Sequence, residues 1–105
     1  MKLWIDDVRP APDGWVWAKT LNDALRFYLM GVDEISFDHD LGGDETSIPL
    51  AKRIEENAFT GDLKPPVWHV HSANPVGRKN LEAALANADR YWRAHSRATS
   101  SQEQS

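Results

Sequence analysis

The sequence predicts one α/β domain, with about four mostly parallel strands and three helices on the faces of the sheet. Three observations point there. Short apolar strands alternate with segments whose apolar residues recur at helical spacing. Three strands run straight into polar chemistry: Leu3-Trp4-Ile5 into Asp6-Asp7, Ile35-Ser36-Phe37 into Asp38-His39-Asp40, and Val67-Trp68-His69-Val70 into His71-Ser72-Ala73-Asn74. Carboxylates are rarely buried without a partner, and open α/β sheets hold their ligands at the carboxyl ends of strands. The three ends therefore predict one site along one edge.

In chain order, residues 2–5 form the first strand. Pro10 and Pro12 forbid a helix in the next segment and favour an extended loop that closes on an Asp13-Gly14 turn. Residues 15–19 form the second strand. Thr20 caps a helix, with Asp23 in place of the glutamate of a full capping box. Leu21, Ala24, Leu25, Tyr28 and Leu29 mark its buried face, and Gly31 ends it. The third strand spans roughly residues 33–38, and residues 42–47 are a polar loop.

Pro49 suits the first turn of a second helix, whose inner face is Ile48, Ala51, Ile54 and Ala58 and which ends at Gly61-Asp62. Pro65-Pro66 lead into the last strand, residues 67–71. A loop over residues 72–77 opens the longest helix, striped by Leu81, Ala84, Leu85, Ala88 and Trp92. Residues 96–105 are small and polar and read as a disordered tail, which leaves residues 1–95 as the domain. One link is short. Residues 7–14 separate the first two strands, whereas parallel crossovers usually take about a dozen or more. The second strand is parallel if the extended Pro-Ala-Pro segment spans that distance, and antiparallel otherwise.

A chain of 105 residues suffices for one domain with a real core, and its 41% apolar and 27% charged content is that of a soluble globular protein. It has no cysteine, which excludes a disulfide framework and a thiolate metal site. No run is long enough for a signal segment or a bilayer span, so the cytoplasm is the expected compartment and no membrane partner is expected. A net charge of -4 without a basic tail argues against duplex DNA, though not against a small cationic pocket.

Asp6, Asp7, Asp38 and Asp40 converge on the predicted edge. Unpaired carboxylates this close repel until one takes up a proton, and a hard divalent cation relieves the repulsion. These four are the candidate metal ligands, with magnesium or manganese as the expected ion. Taken singly, Asp6-Asp7 could merely cap a turn and Asp40 be solvated. His69 and His71 share a face of their strand: His69 is either a packed core residue or a ligand, and His71, beside Ser72, is the better functional candidate. His39, between two aspartates, suits a general acid or an anion ligand. The three histidines would also suit zinc or manganese as nitrogen ligands, which magnesium would not choose. Ser72, Asn74, Gly77 and Arg78 lead into a helix N-terminus, and Arg9 adds a second cation at the same edge. Together these residues look like a phosphoryl site.

Leu3-Trp4-Ile5-Asp6-Asp7-Val8-Arg9-Pro10, Ser36-Phe37-Asp38-His39-Asp40-Leu41-Gly42 and Val70-His71-Ser72-Ala73-Asn74-Pro75-Val76-Gly77-Arg78 resemble the signatures of the cyclic-phosphate processing receiver-like domain family, a shortened relative of response-regulator receivers. The resemblance covers nearly the whole chain up to the last helix. It implies a small flavodoxin- or receiver-like three-layer domain, with a parallel second strand and the first receiver helix reduced to the proline loop. It also implies that Asp6 and Asp7 are the magnesium-binding acidic pair, Asp38 the aspartate that accepts a phosphoryl group in receivers, and Ser72 the hydroxyl after the fourth strand. The sequence departs from receivers in lacking a fifth strand with its lysine, and in adding His39, Asp40, His71, Asn74 and Arg78. Both departures point away from phospho-signalling.

The expected function is a metal-dependent phosphoesterase acting on a cyclic phosphate, either a 2′,3′-cyclic RNA end or a small cyclic nucleotide. Asp38, His39, His71 and Ser72 are its expected catalytic groups, with His71 or His39 protonating the leaving ribose oxygen, and Arg9, Asn74, Gly77 and Arg78 its phosphate-binding groups. Association with RNA-repair proteins is what the resemblance implies for partners. The alternative is a non-catalytic receiver-like signalling or cyclic-nucleotide-binding module.

Overall fold

The structure is a computed structural model that describes residues 1–104, with side chains as far as Ser96. In chain order the elements are β1 (Lys2–Ile5), β2 (Val16–Ala18), α1 (Leu21–Leu29), β3 (Glu34–Phe37), α2 (Ile48–Thr60), β4 (Val67–Val70) and α3 (Pro75–Gln104). The strands form one sheet in the order β2-β1-β3-β4, and every pairing is parallel. The predicted α/β receiver-like fold of four strands and three helices is the one observed.

The short link before β2 is thus spanned by the extended proline loop. Its backbone groups find local partners instead of a helix ladder. The amides of Val8 and Arg9 bond the side chain of Asp6, and the Trp15 amide bonds the Pro12 carbonyl.

Helix placement follows from strand order. The crossovers β2-α1-β3 and β3-α2-β4 both step in the same direction across the sheet, and right-handed crossovers of that kind put their helices on one face. α3 folds back mainly on α2. Leu3, Ile5, Ile35 and Phe37, which alternate along β1 and β3, are fully buried in a single core with Leu50, Ala51, Ile54 and Ala58 of α2 and Leu81, Ala84, Leu85 and Ala88 of α3. Lys2, Trp4, Glu34 and His69 point the other way. The expected three layers are therefore two among the described residues. The step from β1 to β2 would have carried a helix to the far face, but the prolines leave it a loop.

Local signals set the helix ends. Thr20 accepts from the Asp23 amide and caps α1, while the Glu45 carboxylate accepts from the Leu21 amide. Gly61, at φ 80°, takes the left-handed conformation that closes α2. Asn57 of α2 donates to the buried Tyr28 hydroxyl of α1 at 3.0 Å, joining the two helices. The backbone of α3 continues to Gln104, through the stretch read from sequence as a disordered tail. Of that stretch, the side chains beyond Ser96 and all of Ser105 lie outside the described residues. Among the described residues no helix is long and apolar enough to cross a membrane.

Ile54 is fully buried under the sheet, and Lys52 lies on the outer face of the same helix. Ile54→Ala should destabilise the domain by about 2–5 kcal/mol through the cavity it leaves, and Lys52→Ala by no more than about 0.5 kcal/mol. Urea denaturation of the two variants checks the assignment of the inner face.

Candidate metal and phosphate site

The parallel ladder extends one residue past each strand. The amide of Asp38 bonds the Ile5 carbonyl at 2.8 Å, that of His71 the Phe37 carbonyl at 2.9 Å, and that of Asp6 the Ala18 carbonyl at 3.1 Å. Asp6, Asp38 and His71 are therefore neighbours at the carboxyl edge, as the three strand ends predict. Asp6, Asp7 and Asp38 each bring a carboxylate oxygen to within 4.8 Å of the others. Asp40 does not join them. Its exposed carboxylate is taken up by His39 Nδ1 at 3.1 Å and Asn74 Nδ2 at 3.3 Å. The Asn74 and His39 contacts hold its pKa below the ordinary carboxylate value.

Asp6 is buried, with only 1% of its surface exposed. Its Oδ1 accepts from the amides of Val8 and Arg9, both at 2.8 Å, and its Oδ2 lies 3.1 Å from His71 Nε2. Burial pushes the Asp6 pKa up, but the two amides and His71 outweigh it and keep the carboxyl below its ordinary value. Trp17 Nε1 donates to the Asp6 carbonyl at 2.7 Å, which fixes the backbone as well.

His71 has no ring nitrogen to spare. Nε2 faces Asp6, and Nδ1 is 2.7 Å from the Ser36 hydroxyl. Burial lowers its pKa, although Asp6 opposes the shift, which favours the neutral ring. A neutral ring has one donor and one acceptor. The consistent tautomer donates from Nε2 to Asp6 and accepts at Nδ1 from Ser36. The Trp4 indole stacks flat on the ring at 3.9 Å and 4°. His71 thus orients Asp6 and is not placed to hand a proton to a leaving group, the role expected of it.

The other sequence candidates divide. Asp38 Oδ1 accepts from the His39 amide, and its carbonyl accepts from Ser47 Oγ at 2.7 Å. His39 bonds Asp40 through Nδ1, which leaves its Nε2 as the nitrogen turned away from that carboxylate. Arg9 stays at the edge, where Nη1 donates to the His71 carbonyl at 3.2 Å. Ser72 is buried and accepts from the Asn74 amide, shaping the turn into α3. Asn74 caps that helix by accepting from the Gly77 amide at 3.1 Å. Arg78 lies along α3 and pairs with Glu82 at 2.9 Å, instead of forking onto the edge. Gly77 serves His39, because a Cβ there would lie 2.2 Å from His39 Cγ. His69 is not a core residue. It is half exposed and pairs with Glu34 at 2.7 Å, away from the carboxylates.

Sequence reasoning missed Ser36, Trp4, Trp17 and Ser47 as supports of this edge. Alternation along β1 and β3 does place Trp4, Ser36, Asp6 and Asp38 on one face, and that was the available signal. Chemically, the edge presents three carboxylates with no cationic side chain bonded to them among the described residues. It is an all-oxygen set steadied by backbone amides and a neutral imidazole, which fits a hard divalent ion and not a nitrogen-seeking one.

A family model described as the cyclic-phosphate processing receiver domain matches residues 1–87, a span that contains every residue of this edge. No curated protein and no solved structure matches the chain.

The close approach of His39 to Gly77 gives a test of the packing. Gly77→Ala should destabilise the wild-type domain by about 1–3 kcal/mol through overpacking, and should be nearly neutral in a His39→Ala background. Chemical denaturation of the four proteins of this double-mutant cycle measures the difference. Equal losses in both backgrounds would contradict the packing assigned to His39.

Proposed function

The chain belongs to the cyclic-phosphate processing receiver domain family, and from that premise we propose that it is a metal-dependent phosphoesterase that opens a cyclic phosphate, a 2′,3′-cyclic RNA end or a small cyclic nucleotide. The observation that carries the reading is the meeting of Asp6, Asp7 and Asp38 within 4.8 Å at the carboxyl ends of β1 and β3. These three would hold magnesium or manganese. Such an ion supplies a Lewis acid for a phosphoryl oxygen and lowers the pKa of a water.

The remaining work falls to the chain. The Val8 and Arg9 amides and His71 keep Asp6 ionised and in one orientation. Arg9 has spent one donor on the His71 carbonyl, and its other guanidinium donors are left for phosphoryl oxygens. His39, steadied by Asp40 as a histidine in a dyad is steadied by its carboxylate, is the proton donor in this reading. The water oxygen bonds to phosphorus and releases one proton to solvent, the bond from phosphorus to one ribose oxygen breaks, and His39 gives that oxygen its proton and is reprotonated from solvent. The product is a phosphomonoester. An RNA end as substrate would make RNA-repair proteins, the partners the resemblance implies, fitting ones for this chain.

Three variants test this assignment. Asp38→Asn should abolish magnesium or manganese binding by calorimetry while the fold persists, because removing a charge from the cluster relieves repulsion. Unchanged metal affinity would remove Asp38 from the ligand set. His39→Gln should slow opening of a cyclic phosphate by about 10²–10⁴-fold, with a smaller loss on a nitrophenyl ester, whose leaving group needs little protonation. His71→Gln should instead weaken metal binding by about 10–100-fold, as loss of a group behind a ligand does, and should slow both substrates alike. Absence of turnover across a panel of cyclic phosphates, with each metal supplied, would leave the binding-module alternative.

A further inference from the structure

The face of the sheet away from the helices is uncovered among the described residues, and it is not an ordinary solvated surface. Trp4, Trp15 and Trp17 lie on it, each half-buried, with Trp4 edge-on to Trp15 at 6.1 Å and 80°. Lys2 Nζ stands 5.8 Å from the Trp15 ring and Lys19 Nζ 4.2 Å from the Trp17 ring. Arg9 adjoins them, since its carbonyl accepts from Trp4 Nε1 at 3.0 Å. The chain carries a net charge of -4, yet around the rings this face sets Lys2, Lys19 and Arg9 against Glu34, which Lys2 and His69 already engage, and gathers its other carboxylates, Asp6 and Asp38, at the carboxyl edge.

Rings flanked by cations are what single-stranded nucleic acid binds, with bases stacking on the rings and phosphates following the charges. Tryptophan and arginine also suit a protein partner, but the two lysines set directly beside the rings do not, because the cores of such interfaces are depleted in lysine. The platform also runs without a break into the carboxylate edge. Trp4 stacks on His71, which bonds Asp6, and Trp17 donates to the Asp6 carbonyl.

We propose that this open face binds the single-stranded nucleotides that precede a 3′-terminal cyclic phosphate, so that the substrate is an RNA end and not a free cyclic nucleotide. The inference rests on the cyclic-phosphate reading for the chemistry at the edge, and on the tryptophan face alone for the strand.

The test uses the full chain in magnesium buffer and two labelled single-stranded hexaribonucleotides, one ending in a 2′,3′-cyclic phosphate and one in a hydroxyl. A 2′,3′-cyclic mononucleotide is measured beside them. Trp15 is the residue to change, because it bonds neither Asp6 nor His71. Both hexamers should bind by fluorescence anisotropy. Trp15→Ala should weaken both by at least about fivefold, the low end of what a stacked base is worth. The double variant Lys2→Glu, Lys19→Glu should weaken both and flatten the salt dependence, and it keeps the test available should Trp15→Ala fold poorly. Affinity for the cyclic mononucleotide should be the same in all three proteins. The proposal is overturned if the mononucleotide binds as tightly as the hexamers, if both variants bind them like the wild type, or if sedimentation shows a dimer that hides the tryptophans and excludes RNA. Hexamer binding that depends on Trp15, with no cyclic ester opened, would sink the hydrolase reading and leave the strand platform standing.

Discussion

A carboxylate taken out of water has to find hydrogen-bond donors inside the protein, and at Asp6 three donors come from two parts of the chain. Two are amides of the proline loop, and the third is the ring of His71 at the end of β4. Satisfying one buried charge therefore fixes the path of the loop, the register of the far strand and the tautomer of a histidine. Trp4 and Ser36 hold that histidine from the sheet face, and Trp17 holds the Asp6 backbone from β2. All four strands thus contribute to the setting of one side chain. Its neighbours Asp7 and Asp38 are less constrained and less buried. The edge pairs one rigid carboxylate with two adaptable ones, an arrangement suited to gripping an ion and letting its remaining ligands exchange.

A second frame stands beside the first. Asp38 and His39 leave β3 together and diverge, the carboxylate toward Asp6 and Asp7, the imidazole toward Asp40 and the start of α3. Asn74 closes this frame by capping α3 with one side-chain atom and bonding Asp40 with another. The carboxylate proposed to hold an ion and the imidazole of the proposed proton donor are thereby carried on adjacent residues but supported by different elements. Changes in one support need not disturb the other, and that independence makes the roles proposed for His39 and His71 separable by mutation.

Much of this was legible in the sequence. Apolar strands ending in charge gave the site its edge, and the paired aspartates after the first strand with Asp38 after the third gave its core. The features that escaped depend on who meets whom across the sheet. His71 reads as a proton donor until Ser36, on another strand, is found against its second nitrogen. Gly77 reads as open space before a phosphate until the His39 ring is found filling that space. The layer count needed the strand order, since only the order shows that both helical crossovers step the same way. Arg78 is different, because Glu82 four residues on was in plain view and helical spacing alone would have paired them.

The contact between His39 and Gly77 constrains more than packing. Glycine is a poor helix former, by up to about 1 kcal/mol against alanine in a helix interior, and nothing in α3 itself calls for it near the first turn. The ring across the gap does. The two positions should therefore drift together among related chains: where residue 39 becomes small, residue 77 is released to become alanine or larger. A chain that kept the glycine but lost the histidine would carry the mark of an ancestor that had both.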